Sequence, residues 1–145
     1  MPTPMFSHYD PSNVVLVWGP VIFDGYGTDT FISVTMAQDA FTKTVGVDGK
    51  VARNKILDRS GTVEVTLKAD SAANDLLSAI AVLDFAAPNG AGVAPLSLTD
   101  HNGRTVITAT NAWIAKLPDM EYAQETGECV WRIDFDRAAH FVGGR

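Results

Sequence analysis

The amino-acid sequence predicts a mainly β protein, an antiparallel β-sandwich or partly closed barrel with one packed α-helix and a long protruding hairpin. Three observations support this fold class. The stretches "GTVEVTLKA" and "CVWRIDFD" alternate apolar and polar residues, which is typical of strands with one buried face. One segment, "DSAANDLLSAIAVLD", instead has apolar residues at helical spacing. An Asp-Gly pair lies between strand-forming residues in "TVGVDGKVARNK", which is a strong signal for a hairpin.

Length and composition favour one domain without covalent cross-links. The chain has 145 residues, of which 46% are hydrophobic, so it is long enough to enclose one core over residues 1–145. Cys129 is the single cysteine, which excludes an internal disulfide. No apolar run approaches the ~20 residues of a membrane helix, and the start "MPTPMFSHYDPSN" lacks the features of a secretory signal. We expect a soluble protein, without membrane insertion, that stays in the cell that makes it.

Two strands are predicted in the first quarter of the chain. The segment "VVLVW" (14–18) is continuously apolar and rich in β-branched residues, which predicts a central strand buried on both faces. The segment "TFISVTM" (30–36) has Ile32, Val34 and Met36 on one face. Both segments are therefore assigned to strands.

The hairpin over residues 42–57 has no continuous apolar face. A two-residue turn at Asp48 and Gly49 distributes its side chains over two faces. One face is predicted to carry Lys43, Val45, Val47, Lys50, Ala52 and Asn54. The other is predicted to carry Thr42, Thr44, Gly46, Val51, Arg53 and Lys55. Because neither face has enough apolar area to anchor a two-stranded ribbon, we expect other copies of the chain to complete it.

The hairpin region is basic although the chain as a whole is acidic. Residues 43–59 contain five basic and two acidic side chains, a net charge of +3, whereas the other residues contain six basic and fifteen acidic ones, a net charge of -9. This division favours head-to-tail attraction between identical subunits. The alternative interpretation is a solvated basic loop.

An alternating strand and the helix follow the hairpin. The buried face of "GTVEVTLKA" is predicted to carry Val63, Val65, Leu67 and Ala69. In the helical segment, Asp70 or Ser71 is a suitable N-cap residue. The buried side of the helix is predicted to carry Leu76, Leu77, Ile80 and Leu83. A single helix of this kind covers a face or an edge of the sheet.

The last third of the chain is predicted to contain two further strands. A flexible connection over "APNGAGVAP" (87–95) precedes them, and "DHNGR" (100–104) is a tight turn. The segment "TVITATNAWIA" (105–115) predicts a second central strand buried on both faces. The inward face of the closing strand "CVWRIDFD" is predicted to carry Cys129, Trp131, Ile133 and Phe135.

Few residues are arranged for chemistry. Asp134 and Asp136 lie two apart on one strand face and offer an acid and base pair, but Arg132 shares that face, and any wet strand face carries charges. No close pair of zinc ligands is formed by the three histidines, His8, His101 and His140. We therefore expect no catalytic residue, no metal and no cofactor.

Four motifs in this order resemble the major tail tube protein of contractile-tailed bacteriophages. They are the hairpin "TVGVDGKVARNK", the "DRSGTVEVTL" that leads into a strand, the helix "DSAANDLLSAI" with Asn74 and Asp75 before its leucines, and the closing strand "ECVWRIDF". The resemblance spans most of the chain. It implies a subunit that forms a hexameric ring, with rings stacking into a hollow tube inside a sheath.

The resemblance also implies contact residues and partners. The hairpin gains strand partners from neighbouring subunits, and residues 46–61 include contacts between stacked rings. The implied self-assembly residues are Lys43, Asp48, Gly49, Lys50, Arg53, Lys55, Asp58 and Arg59. The implied partners are further copies of the chain, the tail sheath protein, the tape measure protein, and the baseplate and tail terminator proteins. Double-stranded DNA is expected to pass through the lumen without specific binding, in a virion tail that is assembled in the cytoplasm of the host bacterium.

Three alternatives stay open on the sequence. The tube of a phage-derived injection machine or tailocin shares the assembly but carries no DNA. A small ligand- or carbohydrate-binding β-sandwich needs exposed aromatic residues around a groove, and its candidates are Trp18, Trp113 and Trp131. A hydrolase requires Asp134 and Asp136 to act together.

Overall fold

The computed structural model describes residues 8–27 and 30–144. In these residues the chain forms ten strands and one α-helix. The elements are β1 (Val14–Trp18), β2 (Val21–Ile22), β3 (Ile32–Met36), β4 (Phe41–Val45), β5 (Val51–Lys55), β6 (Gly61–Lys68), α1 (Ala73–Ala86), β7 (Ala94–Asp100), β8 (Val106–Lys116), β9 (Glu128–Phe135) and β10 (Ala138–Phe141). Residues 1–7, in which no secretory signal is expected, lie outside the described residues. The mainly β, antiparallel architecture with one helix confirms the predicted fold class.

Eight of the described strands form one antiparallel sheet. Its strand order is β2-β1-β7-β8-β9-β6-β3, and β10 pairs with β8. Ala112 of β8 pairs with Phe135 of β9, and Ala109 of β8 pairs with Ala138 of β10, so β9 and β10 follow one another along the same edge of β8. The remaining strands, β4 and β5, pair with each other in a separate two-stranded sheet. The described sheet does not close into a barrel.

The sheet bends around one hydrophobic core. Trp18 near one end of the strand order and Trp131 near the other belong to the same buried cluster, and they are 0% and 1% exposed. The indole nitrogen of Trp18 donates a 3.0 Å hydrogen bond to the backbone oxygen of Ala112. Val34 of the edge strand β3 packs against the same cluster. This arrangement is sandwich-like, because two parts of one sheet face each other across the core.

The predicted alternation is confirmed for β6 and β9. Val63, Val65 and Leu67 are fully buried, and the polar residues between them lie on the outer face. The inward residues of β9 are the predicted ones, Cys129, Trp131, Ile133 and Phe135. Ala69 is a correction, because β6 ends at Lys68 and Ala69 is exposed beyond it.

The prediction that β8 is buried on both faces is wrong. Ile107 and Ala109 are buried, whereas Thr108 and Thr110 are exposed. The threonines favour the strand through their branched β-carbons, but their hydroxyl groups tolerate water, so β-branching did not indicate burial here. The segment around β1 is closer to the expectation, because its outward valines are half-buried.

The helix α1 contacts the sheet along a narrower stripe than expected. Ala73 and Leu77 are buried, and Ile80 packs against the core, which places the contact at positions i, i+4 and i+7. Leu76 and Leu83 are 54% and 57% exposed, so their predicted burial is wrong. They are rotated by about 65° and 90° from the centre of this stripe, on the side of the helix that turns away from the sheet. Within residues 8–27 and 30–144, no helix has the length and apolar character that a membrane span requires.

Local turns complete the frame. The N-cap of α1 is Ala72, without a side-chain cap hydrogen bond, so the predicted cap at Asp70 or Ser71 is wrong. Ser71 lies one residue earlier, and its hydroxyl accepts a long 3.4 Å hydrogen bond from the Ala73 amide. The predicted tight turn over residues 100–104 is confirmed, since the Gly103 amide donates to the Asp100 backbone oxygen at 3.3 Å. The predicted connection over residues 87–95 ends at Ala94, where β7 begins.

Candidate self-assembly surface

The predicted hairpin is the outer half of one long antiparallel ribbon. The inner half consists of β3 and β6, which pair within the main sheet up to Met36 and Gly61. The outer half consists of β4 and β5 and starts at the pair of Phe41 and Lys55. Backbone hydrogen bonds of 3.0 and 2.9 Å continue the ladder between the halves, where they join Ala37 to Ser60 and Ile56 to Ala40. The hairpin therefore continues β3 and β6 past the end of the core sheet.

The loop of the hairpin has three residues, which corrects the predicted two-residue turn. The Gly46 amide donates to the Lys50 backbone oxygen at 2.8 Å, and the Gly49 amide donates to the Gly46 oxygen at 3.0 Å. Val47, Asp48 and Gly49 thus form the loop. Gly49 has a φ of +84°, the left-handed conformation that closes a loop of this kind after a type I turn.

The additional loop residue shifts the strand register by one position. Val45 opposes Val51, and Lys43 opposes Arg53. One face of the hairpin therefore carries Phe41, Lys43, Val45, Val51, Arg53 and Lys55. We call it the basic apolar face. The Arg53 guanidinium lies 3.7 Å from the centre of the Phe41 ring, a cation–π contact.

The opposite face of the hairpin is polar, and neither face is covered by the subunit. It carries Thr42, Thr44, Ala52 and Asn54, and the Asn54 amide donates to the Thr44 hydroxyl at 3.1 Å. Every residue from 41 to 55 is exposed, including Phe41, Val45 and Val51 of the basic apolar face. The hairpin therefore receives no anchoring from the core of its own subunit.

The eight predicted self-assembly residues all lie on the hairpin and its base, residues 41–59, which we call the arm. They fall into three groups. The first group, on the basic apolar face, is Lys43, Arg53 and Lys55. The second group, at the loop, is Asp48, Gly49 and Lys50, in which the Lys50 ammonium lies 3.8 Å from the Asp48 carboxylate. The third group, at the junction of the two ribbon halves, is Asp58 and Arg59. Only in the first group do all the residues lie on one face of the hairpin.

Asp58 joins the two strands of the ribbon at the junction between its inner and outer halves. Its carboxylate accepts hydrogen bonds from the Ser60 hydroxyl at 2.6 Å, the Ser60 amide at 3.0 Å and the Gln38 side-chain amide at 2.9 Å. These bonds, with those from Ser60 first, hold the pKa of Asp58 below its ordinary value of 3.8. This carboxylate therefore links Gln38 to Ser60 across the junction.

A groove lies between the base of the hairpin and β10. It has a cavity volume of about 720 Å³. Its walls include Lys55, Ile56, Leu57 and Arg59 on the ribbon, and Asp136 and Arg137 in the link between β9 and β10. We call it the basal groove. Sequence reasoning missed Leu57 and Arg137, because the groove joins segments about eighty residues apart.

The loop between β8 and β9 lies at the opposite end of the subunit. Gly61 at the start of β6 pairs with Phe135, whereas Lys68 at its end pairs with Glu128, where this loop joins β9. A strand rises about 3.3 Å per residue, so the two ends of β6 are about 23 Å apart. The hairpin and basal groove are at the first end, and the loop over residues 117–127 is at the second.

This second loop, which we call the acidic loop, is exposed and carries both acids and large apolar side chains. Its acidic residues are Asp119, Glu121 and Glu125, and it has no basic residue. Leu117, Met120 and Tyr122 are 52%, 59% and 90% exposed. This loop was not predicted as a contact surface, although "LPDMEYAQETG" places large apolar side chains between acids.

The outer side of α1 forms a further exposed apolar surface. Val82 and Phe85 are 67% and 97% exposed, and they lie beside Ile114 and Leu117. Contiguous apolar surface on a lone subunit indicates a place where another molecule binds. The described subunit therefore presents uncovered apolar side chains on the hairpin, the helix and the acidic loop.

The two aspartates considered for catalysis, Asp134 and Asp136, make hydrogen bonds to neighbouring side chains of the sheet. The Asp134 carboxylate accepts hydrogen bonds from the Thr62 hydroxyl at 2.9 Å and the Arg132 guanidinium at 3.2 Å. Asp136 lies beyond the end of β9 and accepts a 3.1 Å hydrogen bond from the Asn111 side-chain amide. Among the described residues, no group of three His, Cys, Asp or Glu side chains is arranged to hold a metal ion.

The tryptophans do not form an exposed platform. Trp18 and Trp131 are buried, and Trp113 is half-buried. The Trp131 indole donates a 2.8 Å hydrogen bond to the Asn74 side-chain oxygen below the helix. These three residues therefore do not provide the sugar-stacking surface that a carbohydrate-binding sandwich needs.

The fold of the chain is similar to that of chains in three solved prophage and injection-system assemblies. The chain superposes with a TM-score of 0.62 on the tube-terminating cap of the anti-feeding prophage, at 9% identity, covering 97% of this chain and 95% of that one. It superposes equally, at 0.62 and 10% identity, on a chain of the PVC sheath-tube complex of an extracellular contractile injection system, covering 92% and 91%. A chain of the PVC sheath/tube terminator gives 0.55 at 10% identity, covering 98% of both chains.

The chain belongs to the bacteriophage PhiTE tail tube protein family, whose sequence profile matches residues 11–143. It is also 25% identical over 144 residues to structural protein ORF10 of Pseudomonas phage KPP10, which covers 95% of this chain and 83% of that protein. The chain is therefore a structural component of a phage tail, and its resemblance to the tail tube proteins is confirmed.

Proposed function

We propose that the chain is the subunit of the inner tube of a contractile phage tail. Six copies form a ring, rings stack into a hollow tube, and double-stranded DNA is ejected through the lumen. Residues 1–145 act as one tail-tube-like domain. The observation that carries this proposal is the ribbon that leaves the core sheet and exposes a basic apolar face.

The hairpin favours assembly for two physical reasons. Phe41, Val45 and Val51 expose apolar surface that is stabilised only when another molecule covers it. The strands β4 and β5 pair with each other alone among the described strands, so their outer edges offer backbone hydrogen bonds to further strands. Neighbouring copies supply both kinds of contact. A heterologous contact around a ring closes, whereas one along the axis continues without limit.

The charge distribution suits a conduit for DNA. The chain outside residues 43–59 has a net charge of -9, and acidic residues on the inner wall repel DNA within a Debye length of ~8 Å at physiological salt. DNA then slides without binding to specific residues. Assembled tubes incubated with linear duplex DNA at this ionic strength are expected to release it on washing, and stable retention of the DNA contradicts an acidic lumen.

The remaining partners follow from the place of a tube in a contractile tail. The sheath protein surrounds the tube, the tape measure protein occupies its lumen during assembly, and baseplate and terminator proteins bind its two ends. Assembly takes place in the cytoplasm of the host bacterium, and the finished tube is part of the virion. The exposed apolar side chains of α1, including Phe85, are available to a surrounding partner.

Electron microscopy of the purified protein tests the proposal. Negative staining is expected to show hollow tubes of stacked rings, and native mass spectrometry is expected to show species of six 15.5 kDa subunits. The double reversal Arg53→Glu with Lys55→Glu is expected to stop tube growth while circular dichroism stays unchanged, because the arm lies outside the core. The matched control Arg53→Lys with Lys55→Arg conserves both charges and is expected to form normal tubes.

Two related roles are separated by this experiment together with the DNA content of particles purified from cells. A tube-terminating subunit shares the fold, and it is expected to stop at a single ring at all concentrations. A tube from a DNA-free injection machine is expected to form long tubes, but its particles contain no DNA. A wild-type protein that stays monomeric at high concentration contradicts all three roles.

A further inference from the structure

We infer that the acidic loop of one copy binds in the basal groove of the next copy and thereby joins successive rings. The inference rests on the proposed function, because it names the two surfaces that meet along the axis of the tube. Three features carry it: the charges of the groove, the composition of the loop, and the positions of the two at opposite ends of β6.

The basal groove presents bases without acidic partners. Lys55, Arg59 and Arg137 line it, and Asp136 is its single acidic wall residue. Among the described residues, carboxylates within 4.0 Å of a base are found at Lys50, Lys116 and Arg132. The three bases of the groove therefore have no ion-pair partner within the described part of their own subunit. Leu57 adds an 81% exposed apolar side chain beside them.

The acidic loop has the complementary composition. It carries three acids and no base over residues 117–127. Met120 and Tyr122 expose large apolar surfaces between these acids. A groove with bases around an exposed leucine fits such a segment, because the apolar side chains cover one another while opposite charges meet at the rim.

The two surfaces cannot meet within one subunit. They lie at opposite ends of β6, about 23 Å apart along a rigid strand of the core sheet. Each copy offers one groove and one loop at opposite ends of this strand. A contact between them is heterologous and leaves a free groove at one end and a free loop at the other, so the assembly continues in one direction.

Charge reversal tests the contact. Glu121→Lys with Glu125→Lys, and separately Arg59→Glu with Arg137→Glu, are each expected to abolish tubes and leave single rings, as seen by negative staining and sedimentation. Combining the four substitutions is expected to restore tubes, since the charges are opposite again. The matched control Asp24→Lys with Asp75→Lys changes the net charge equally at exposed carboxylates outside the loop and is expected to form tubes. Loss of tubes in the control, or no rescue by the combined variant, overturns the inference.

Cross-linking provides a readout that does not depend on charge. The double variant Leu57→Cys with Tyr122→Cys is expected to give a ladder of multimers after oxidation of assembled tubes, whereas either single variant gives none. This test keeps its meaning if a reversal variant fails to fold. Tubes that form normally without a ladder overturn the inference and leave the proposed function standing. A wild-type protein that forms neither rings nor tubes instead overturns the proposed function.

Discussion

Asn74 satisfies three polar groups where the helix meets the sheet. Its side-chain oxygen accepts the 2.8 Å hydrogen bond from the Trp131 indole, and its nitrogen donates to the backbone oxygens of Lys68 and Ser71 at 2.9 and 3.1 Å. Because Trp131 is 1% exposed, its N–H group cannot turn to water if this partner is lost. One amide thus fixes both the start of α1 and the orientation of a core tryptophan.

The substitution Asn74→Ala is expected to lower the free energy of unfolding by about 1–3 kcal/mol, because it leaves a buried donor without an acceptor. Urea denaturation followed by tryptophan fluorescence measures this change. Asp75→Asn is the control, since Asp75 is the next residue and is exposed, and a change of at most ~0.5 kcal/mol is expected there. Equal effects of the two substitutions contradict the role of the Asn74 side chain.

Asp58 makes the base of the hairpin sensitive to acid. Its folded pKa is below the ordinary value of 3.8, because hydrogen bonds from Ser60 favour the ionised form. A lowered folded pKa contributes stability above the unfolded pKa, and this contribution is lost as the pH falls through the folded pKa. Amide exchange at Ser60 is therefore expected to accelerate below pH 3.8 beyond the intrinsic rate, as measured by NMR. Asp58→Asn is expected to remove this step, and an unchanged step contradicts the assignment.

At the scale of elements, the helix α1 is held by few side chains. Leu77 is fully buried, whereas its neighbour Leu76 is about half exposed. Leu77→Ala is expected to cost about 2–5 kcal/mol of unfolding free energy, because it opens a cavity in the core. Leu76→Ala removes the same number of atoms from the outer side and is expected to cost no more than ~0.5 kcal/mol. Thermal and chemical denaturation of both variants measure the difference, and similar losses contradict the narrow stripe.

Alternation predicted β6 and β9 well because each strand has one side against the core and one against water. Burial then alternates from one residue to the next, as at Val63 and Glu64, and the residue types alternate with it. Helical spacing located α1 and placed Leu77 and Ile80 correctly, but it also assigned Leu76 and Leu83 to the buried side, since the exposed positions from Leu76 to Phe85 are apolar as well. The pattern alone does not determine which of several apolar stripes meets the sheet.

The hairpin was predicted from its Asp-Gly pair, but its register was not. Two-residue and three-residue loops both accept Gly at this position, and the choice depends on whether Val47 joins the strand or the loop. The basal groove was beyond prediction for another reason. Leu57 and Arg137 approach each other only because β9 ends where the ribbon leaves β6, a property of the whole sheet.

At the scale of the whole molecule, the subunit consists of a core and an arm with separate tasks. Among the described residues, the core cluster has no member between Met36 and Val63. The intervening residues expose apolar and basic side chains instead. Stability of the subunit and growth of the tube should therefore respond to different substitutions.

Removing the outer part of the arm, residues 42–54, tests this separation. Replacing residues 42–54 by Asn-Gly joins Phe41 to Lys55, which already pair, through a two-residue turn. The free energy of unfolding of the subunit is expected to stay within about 0.5 kcal/mol of the parent, because no core contact is lost. Tubes are expected to be absent at concentrations where the parent forms them, as measured by sedimentation and negative staining. If the shortened chain still forms tubes, contacts of the core alone suffice for stacking, and if it unfolds, the arm contributes to the core after all.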